Sequence, residues 1–328
     1  MRVKASAPGK VILFGEHSVV YRGPAIVLAI DRRVEVSAEP RGDDLLFIEA
    51  PDLGVSGFFH EGRYHPAAGG RRGEGVLRPL WVAVERTMER LGGKTGVSLS
   101  VASEIPIAVG LGSSAAASVA TVAAVGELLG GGLTPEEISL LAYEAERVVH
   151  GTPSGIDNTI ATYGGGLVYE RGKGMERLES LREIPLVIGN TGRSRSTGEL
   201  VGRVRRLRER YRTLVDTIID AIAHIARLGR EALLEGDLWR MGELMRMNHG
   251  LLWALGVSSP ELDRLVNAAL EAGALGAKLT GAGGGGCMIA LAEPDRLGAV
   301  STAIERSGGS SLRAGISRSG VRVWRVEG

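Results

Sequence analysis

The chain has 328 residues, 44% hydrophobic and 23% charged, a composition that excludes a disordered, collagen-like or disulfide-scaffolded protein and leaves room for two domains. Lys and Arg number 39 against 38 Asp and Glu, and a net charge of +1 offers no global field to nucleic acid or to an anionic membrane, so an anionic ligand needs a local site. The single cysteine, Cys287, excludes an internal disulfide, and neither the first residues nor the Ala-rich stretch 115–125 has the apolar length of a signal or a span, so a cytoplasmic protein is expected.

Only five of the basic residues are lysines, which leaves 34 arginines, and there is no glutamine; heat adaptation and a GC-rich genome explain this equally well. In chain order, alternation predicts strands over 3–7 and 25–30, separated by a mixed stretch rich in Gly, Glu, His and Ser. Residues 40–75 read as a loosely structured hairpin region. A helix over 77–91 ends at Gly92-Gly93, and 97–101 alternates as a half-buried strand. A glycine turn at 106–112 leads into an Ala/Ser/Val helix over 113–129. Thr134, Pro135 and Glu137 then form a capping box for a helix that breaks near Gly151-Thr152-Pro153.

Short strands follow at 167–169 and 186–189, with a domain boundary near residue 180. Val204, Leu207, Tyr211, Leu214, Ile218, Ala221, Ile225 and Leu228 recur at steps of three and four, predicting one long helix that packs on its own domain or pairs across a homodimer. Helices over 238–255 and, capped by Ser259-Pro260, over 261–272 come next. A strand at 288–291, a helix over 294–306 and strands near 312 and 321–326 complete a βαβ-like alternation.

Three segments carry candidate chemistry. Pro106 to Ala115 is a strand end, a glycine turn and a helix start, where converging N–H groups and the helix terminus suit a phosphate chain; Ser113 and Ser114 add hydroxyls. Lys278 to Cys287 has five glycines within six positions just ahead of a strand, as a backbone in close approach to a ligand requires. Cys287 itself reads as a small buried residue. In the third segment Glu146 stands near a helix end and Asp157 eleven residues later beyond a Pro/Gly turn, candidates for metal ligand and general base; His150 reads as a helix-end cap.

With Pro8-Gly9-Lys10 through Gly15-Glu16-His17-Ser18-Val19-Val20-Tyr21, these segments make four ordered motifs over residues 8–287, and the chain resembles the GHMP kinase superfamily. Within it, Lys10, the Ser18-Val19-Val20-Tyr21 run and the Glu144-Ala145-Glu146-Arg147 approach to His150 look like the mevalonate kinase branch. The resemblance implies an α+β protein of two domains. Residues 1–180 would be similar to ribosomal protein S5 domain 2 and carry the phosphate loop; residues 181–328 would be ferredoxin-like with added helices and carry the glycine-rich loop.

It also implies ATP-dependent, magnesium-dependent phosphorylation of (R)-mevalonate to 5-phosphomevalonate in isoprenoid biosynthesis. Asp157 would be the catalytic carboxylate and Lys10 its partner, with Glu146 and Ser114 holding magnesium. Gly110, Leu111, Gly112, Ser113 and Ser114 would wrap the ATP phosphates, Gly283 and Gly284 closing from the other domain. Glu16, His17 and Thr197 would line the mevalonate pocket, with Arg195 a further candidate for its carboxylate. The chain departs from the family pattern at Ala108, where glycine is usual. Sister enzymes acting on phosphomevalonate, on the C3 hydroxyl, on galactose or on homoserine are the alternatives, with a non-catalytic ligand sensor behind them.

Overall fold

The computed structural model describes residues 1–21, 23–93, 95–106, 110–150, 153–178, 181–193 and 196–326. Its first two strands are much longer than alternation predicts: β1 (Arg2–Phe14) and β2 (Pro24–Pro40) form one antiparallel ladder, with irregularities after Pro8 and Ile12. Residues 5–11 are all buried, so the apolar/polar signal that marks a half-exposed strand is missing there. The region 40–75 contains the expected hairpins but is more regular than loosely structured. It contains β3 (Leu46–Ala50), β4 (Val55–His60) and β5 (Arg63–Ala68), and β3 lies parallel to β6 (Val97–Ser103), itself paired to β2. That parallel pairing is long-range, and it buries Leu46, Ile48, Val55 and Phe59.

β7 (Gly166–Glu170) and β8 (Gly174–Leu178) add a hairpin to the amino-terminal half of β2. Four helices cover this sheet: α1 (Arg72–Leu91), α2 (Ser113–Leu128), α3 (Pro135–His150) and α4 (Ile156–Tyr163). α2 lies directly on β1 and β2, and its small side chains permit that approach. The capping box of α3 forms as the sequence predicts: the Thr134 N–H donates to Glu137 Oε2 at 2.9 Å and the Glu137 N–H to Thr134 Oγ1 at 3.3 Å.

The second sheet runs β10–β11–β9–β12, from β9 (Leu186–Asn190), β10 (Gly276–Leu279), β11 (Cys287–Leu291) and β12 (Ser310–Ala314). Every neighbouring pair in it is antiparallel, but β11 and β12 run the same way on either side of β9, and with the helix over Leu297–Arg306 between them they make the expected βαβ-like alternation in split form. Over β9, β10 and β11 both faces are buried. Cys287, Ile289 and Leu291 enter a core shared with the first sheet, while Met288 and Ala290 enter a second core beneath the later helices.

Of the helices that follow, α5 (Thr197–Arg210) packs on α6 (Arg212–Glu235), which lies against β1, β2 and α7 (Leu238–Ala254), while α7, α8 (Pro260–Glu271) and α9 (Leu297–Arg306) pack on this sheet. The single long helix predicted from the stripe at 204–228 is in fact two, because Tyr211 leaves helical geometry at φ −131° and ψ 56°. One non-helical residue barely disturbs a three/four periodicity, so the pattern runs on unbroken across it. α7 packs onto β10 through a glycine pair, where a Cβ on Gly276 would stand 2.3 Å from the Gly242 carbonyl oxygen. The boundary expected near 180 falls on Glu179 and Ser180, outside the described residues, and the chain beyond them returns to the first sheet as β13 (Arg322–Val326), paired to β1. No helix among the described residues is long and apolar enough to cross a membrane.

Candidate active site

β1 brings Lys10 to the amino-terminal end of α2, where the Lys10 N–H donates to the Leu111 carbonyl at 2.8 Å. Gly112 is the N-cap residue of α2, at φ 77°, and a Cβ there would lie 2.9 Å from Lys10 Cγ. Glycine therefore supplies both the left-handed backbone and the space for the lysine stem. Lys10 is 8% exposed, and its Nζ lies 3.3 Å from Asp157 Oδ1. Asp157 sits in the first turn of α4, behind the left-handed Gly155.

Glu146 reaches the same place from α3. It is 4% exposed, and its Oε1 accepts hydrogen bonds from Ser114 Oγ at 2.7 Å and Ser118 Oγ at 3.3 Å. The two serines are one helical turn apart, so both hydroxyls face α3. Ser118 is a site residue that sequence reasoning missed; its i, i+4 spacing from Ser114 was the available signal.

The turn after β1 contributes Glu16 and His17. His17 adopts a left-handed backbone, φ 61°, and its Nε2 lies 2.9 Å from the Ala282 carbonyl oxygen in the second glycine loop. Glu16 is 1% exposed; it pairs with the fully buried Lys278 and accepts a hydrogen bond from Asn248 Nδ2 at 3.3 Å. Burial raises the Glu16 pKa and lowers that of Lys278, each opposed by attraction to the other. The second glycine loop is further stitched to β1 by Thr280, whose Oγ1 donates to the Ile12 carbonyl at 2.9 Å and accepts from the Ile12 N–H at 3.0 Å.

Behind this contact, His249 accepts the Leu279 N–H through Nδ1 at 3.3 Å and faces Asp263 through Nε2 at 3.3 Å. Burial pushes the imidazole pKa below its usual value, so as pH falls the unfolded chain binds that proton first. The associated stability is present above about pH 6.5 and is lost as pH falls through the folded-state value. Thermal denaturation followed between about pH 8 and pH 5 should show a fall in Tm that His249→Asn flattens, because Asn keeps an acceptor for Leu279 without titrating.

These elements enclose a cleft of about 690 Å³. Lys10, Glu16, His17, Gly110, Gly112, Ser113, Ser114, Glu146, Asp157 and Thr197 all line it. Leu111 is buried beneath the loop at 1% exposure. Gly283 and Gly284 lie outside the lining residues, where Gly281 and Ala282 stand instead. A Cβ on Gly283 would meet the Val257 carbonyl oxygen at 1.9 Å, and the Gly284 N–H donates to that same oxygen at 2.7 Å, so this pair turns toward the protein. Ala108, Thr152 and Arg195 lie outside the described residues, as does the side chain of His150.

Two domain families match the chain: the GHMP kinases N terminal domain over residues 78–166 and the GHMP kinases C terminal domain over residues 230–310. The sequence is 46% identical to a mevalonate kinase of Thermococcus sibiricus, over 98% of each chain, and 46% identical to that of Pyrococcus furiosus, over 99% of each. The chain belongs to the mevalonate kinase family. Among solved structures it is similar to L. major mevalonate kinase in complex with R-mevalonate, at 31% identity and a TM-score of 0.83, covering 97% of this chain and 96% of that one. The Methanococcus jannaschii mevalonate kinase superposes with the same TM-score of 0.83 at 29% identity, covering 97% and 98%.

For a mevalonate kinase family member the Ser114–Glu146 pair is notable as a set of hard oxygen donors beside a phosphate loop, which suits magnesium. The described residues hold no group of three or more acidic, histidine or cysteine side chains arranged for a metal. A magnesium ion here would therefore take its remaining ligands from phosphate oxygens and water, as that ion prefers.

Proposed function

We propose that this chain transfers the γ-phosphoryl group of ATP to the C5 hydroxyl of (R)-mevalonate, releasing 5-phosphomevalonate and ADP in the cytoplasm. What carries the reading is the meeting, in one cleft, of the Lys10–Asp157 pair with the start of α2. Kinship with enzymes named mevalonate kinases supports the choice of substrate.

Phosphoryl transfer asks for positioning and charge neutralisation more than for covalent chemistry. The N–H groups at the start of α2, with Gly110, Gly112 and Ser113 around them, hold the phosphate chain. Lys10 faces the transferred group and stabilises the charge that spreads over its oxygens. Asp157 accepts the hydrogen bond of the attacking hydroxyl and takes its proton as the new bond to phosphorus forms. Glu146 and Ser114 would hold magnesium, with Ser118 fixing the carboxylate from behind. That ion would supply neutralisation of the phosphate charge there. At the far end Val19, Val20, Ile12 and Val201 offer an aliphatic wall, and His17 and Thr197 serve the polar groups of a hydroxy acid.

Phosphorus NMR of the products tests this, with mevalonate, 5-phosphomevalonate, galactose and homoserine offered separately to purified protein. A phosphate monoester on C5 of mevalonate is the expected result. A signal from the tertiary C3 hydroxyl, or a diphosphate from 5-phosphomevalonate, assigns the chain to a sister reaction, and no turnover on any of the four overturns the proposal.

A further inference from the structure

β10 and the loop after it touch the first domain in an alternating pattern. Lys278 meets Glu16, Thr280 meets Ile12, and Ala282 meets His17. Lys278 and Thr280, two apart at the end of β10, share a face, and the turn at the left-handed Gly281 brings Ala282 to the same neighbour, so this strand end and loop are joined at three points to β1 and its turn. Two of those partners, Glu16 and His17, and one loop residue, Ala282, form walls of the cleft.

The first of the three joints is an unusual choice for a strand whose four residues are all buried. Its neighbours Ala277 and Leu279 enter the apolar core, and an aliphatic side chain at 278 would pack equally well. Lys278 is instead fully buried, and its Nζ donates to Glu16 and, at 2.8 Å, to the Leu279 carbonyl. The third member, Asn248, donates to Glu16 but leaves its own Oδ1 buried without a partner. Such a network costs desolvation that its Coulomb attraction does not clearly return, so stability does not explain it. Geometry does: both Glu16 oxygens are held from the second domain, and the residue that follows is the left-handed His17.

Taking the cleft as the kinase site proposed above, we infer that Lys278 is a positioning residue for the acceptor substrate: through Glu16 it fixes the turn that aims His17 into the cleft. Glu16 then acts by holding the turn, with no direct contact to mevalonate. Phosphate binding at the start of α2 is built from other elements and does not depend on this joint.

The test is a double-mutant cycle with Lys278→Met, Glu16→Gln and the two combined, reading KM for mevalonate, KM for ATP, kcat and Tm. Lys278→Met strands a buried carboxylate and should raise the KM for mevalonate by about 10-fold or more, leaving the KM for ATP within about threefold. Glu16→Gln leaves the buried Lys278 ammonium unpaired and should raise that KM too; because Lys278 acts through Glu16, adding Lys278→Met to it breaks no further joint, so the combined variant should stay within about threefold of the larger single effect. Parallel increases in both KM values, or a combined variant whose KM for mevalonate is the product of the two single effects, would overturn the inference. Should Lys278→Met fail to fold, Lys278→Arg decides: it keeps the charge but not the shape of the joint and should raise the KM for mevalonate while leaving the KM for ATP within about threefold, and an unchanged KM for mevalonate would overturn the inference. Absence of turnover in the wild-type protein counts against the substrate reading alone, because the non-additivity of Lys278→Met and Glu16→Gln in Tm would still report that the two residues act as one joint.

Discussion

Asp157→Asn is expected to lower kcat by about 10²-fold or more while leaving the KM for ATP and for mevalonate within a few-fold. Asn is nearly isosteric with Asp, and the packing of α4 rests on other residues: Ile156 and Ile160 are buried, and Asn158 Nδ2 donates to the Ser139 carbonyl at 3.0 Å. The change therefore removes one negative charge and a proton acceptor from a cleft wall that otherwise stays in place. It also leaves the Lys10 Nζ without the carboxylate 3.3 Å away, so the ammonium is aimed less firmly at the transferred group. Steady-state kinetics with both substrates varied provides the check. A variant with near wild-type kcat would remove Asp157 from the chemistry and shift the proton-handling role elsewhere.

Glu146→Gln should raise the magnesium concentration for half-maximal rate by about 10-fold or more, and should do so without a comparable change in the KM for mevalonate. Glu146 is buried, and its Oε1 is already held by two serine hydroxyls, so an amide oxygen in the same place keeps those hydrogen bonds and the packing of α3 on α2. What it loses is the negative charge that a hard cation requires. Initial rates across a magnesium titration at fixed ATP, with Tm measured on the same preparation, separate the two possible roles. A fall in Tm with an unchanged magnesium requirement would mark Glu146 as a structural acid.

Both positions are visible in the sequence because their chemistry is local. Glycine spacing, helix-start hydroxyls and carboxylates around a Pro/Gly turn are short-range signals, and Gly110, Gly112, Ser113, Ser114, Glu146 and Asp157 do line a single cleft. The capping boxes and helix ends are equally legible: Thr134 with Glu137, Gly92 and Ser259 all behave as their residue types dictate. Strand lengths are harder, since β1 and β2 are buried on both faces over much of their length and lose the period of two.

By itself, then, the sequence determined the α+β class, the order of its motifs and the residues able to handle a phosphate chain. The long-range contacts were decided only in three dimensions. The parallel β3–β6 pairing, the return of β13 to β1 and the antiparallel order of the second sheet join segments far apart in the chain, and no local propensity encodes which strand meets which. The same holds at the site. Glu16 reads as a pocket acid until Lys278 and Asn248, far along the chain, are seen to hold both its oxygens. Gly283 and Gly284 read as ligand-facing until Val257 is found against them. A side chain's type announces the chemistry it can do, but its partner is set by which surfaces the fold brings into contact.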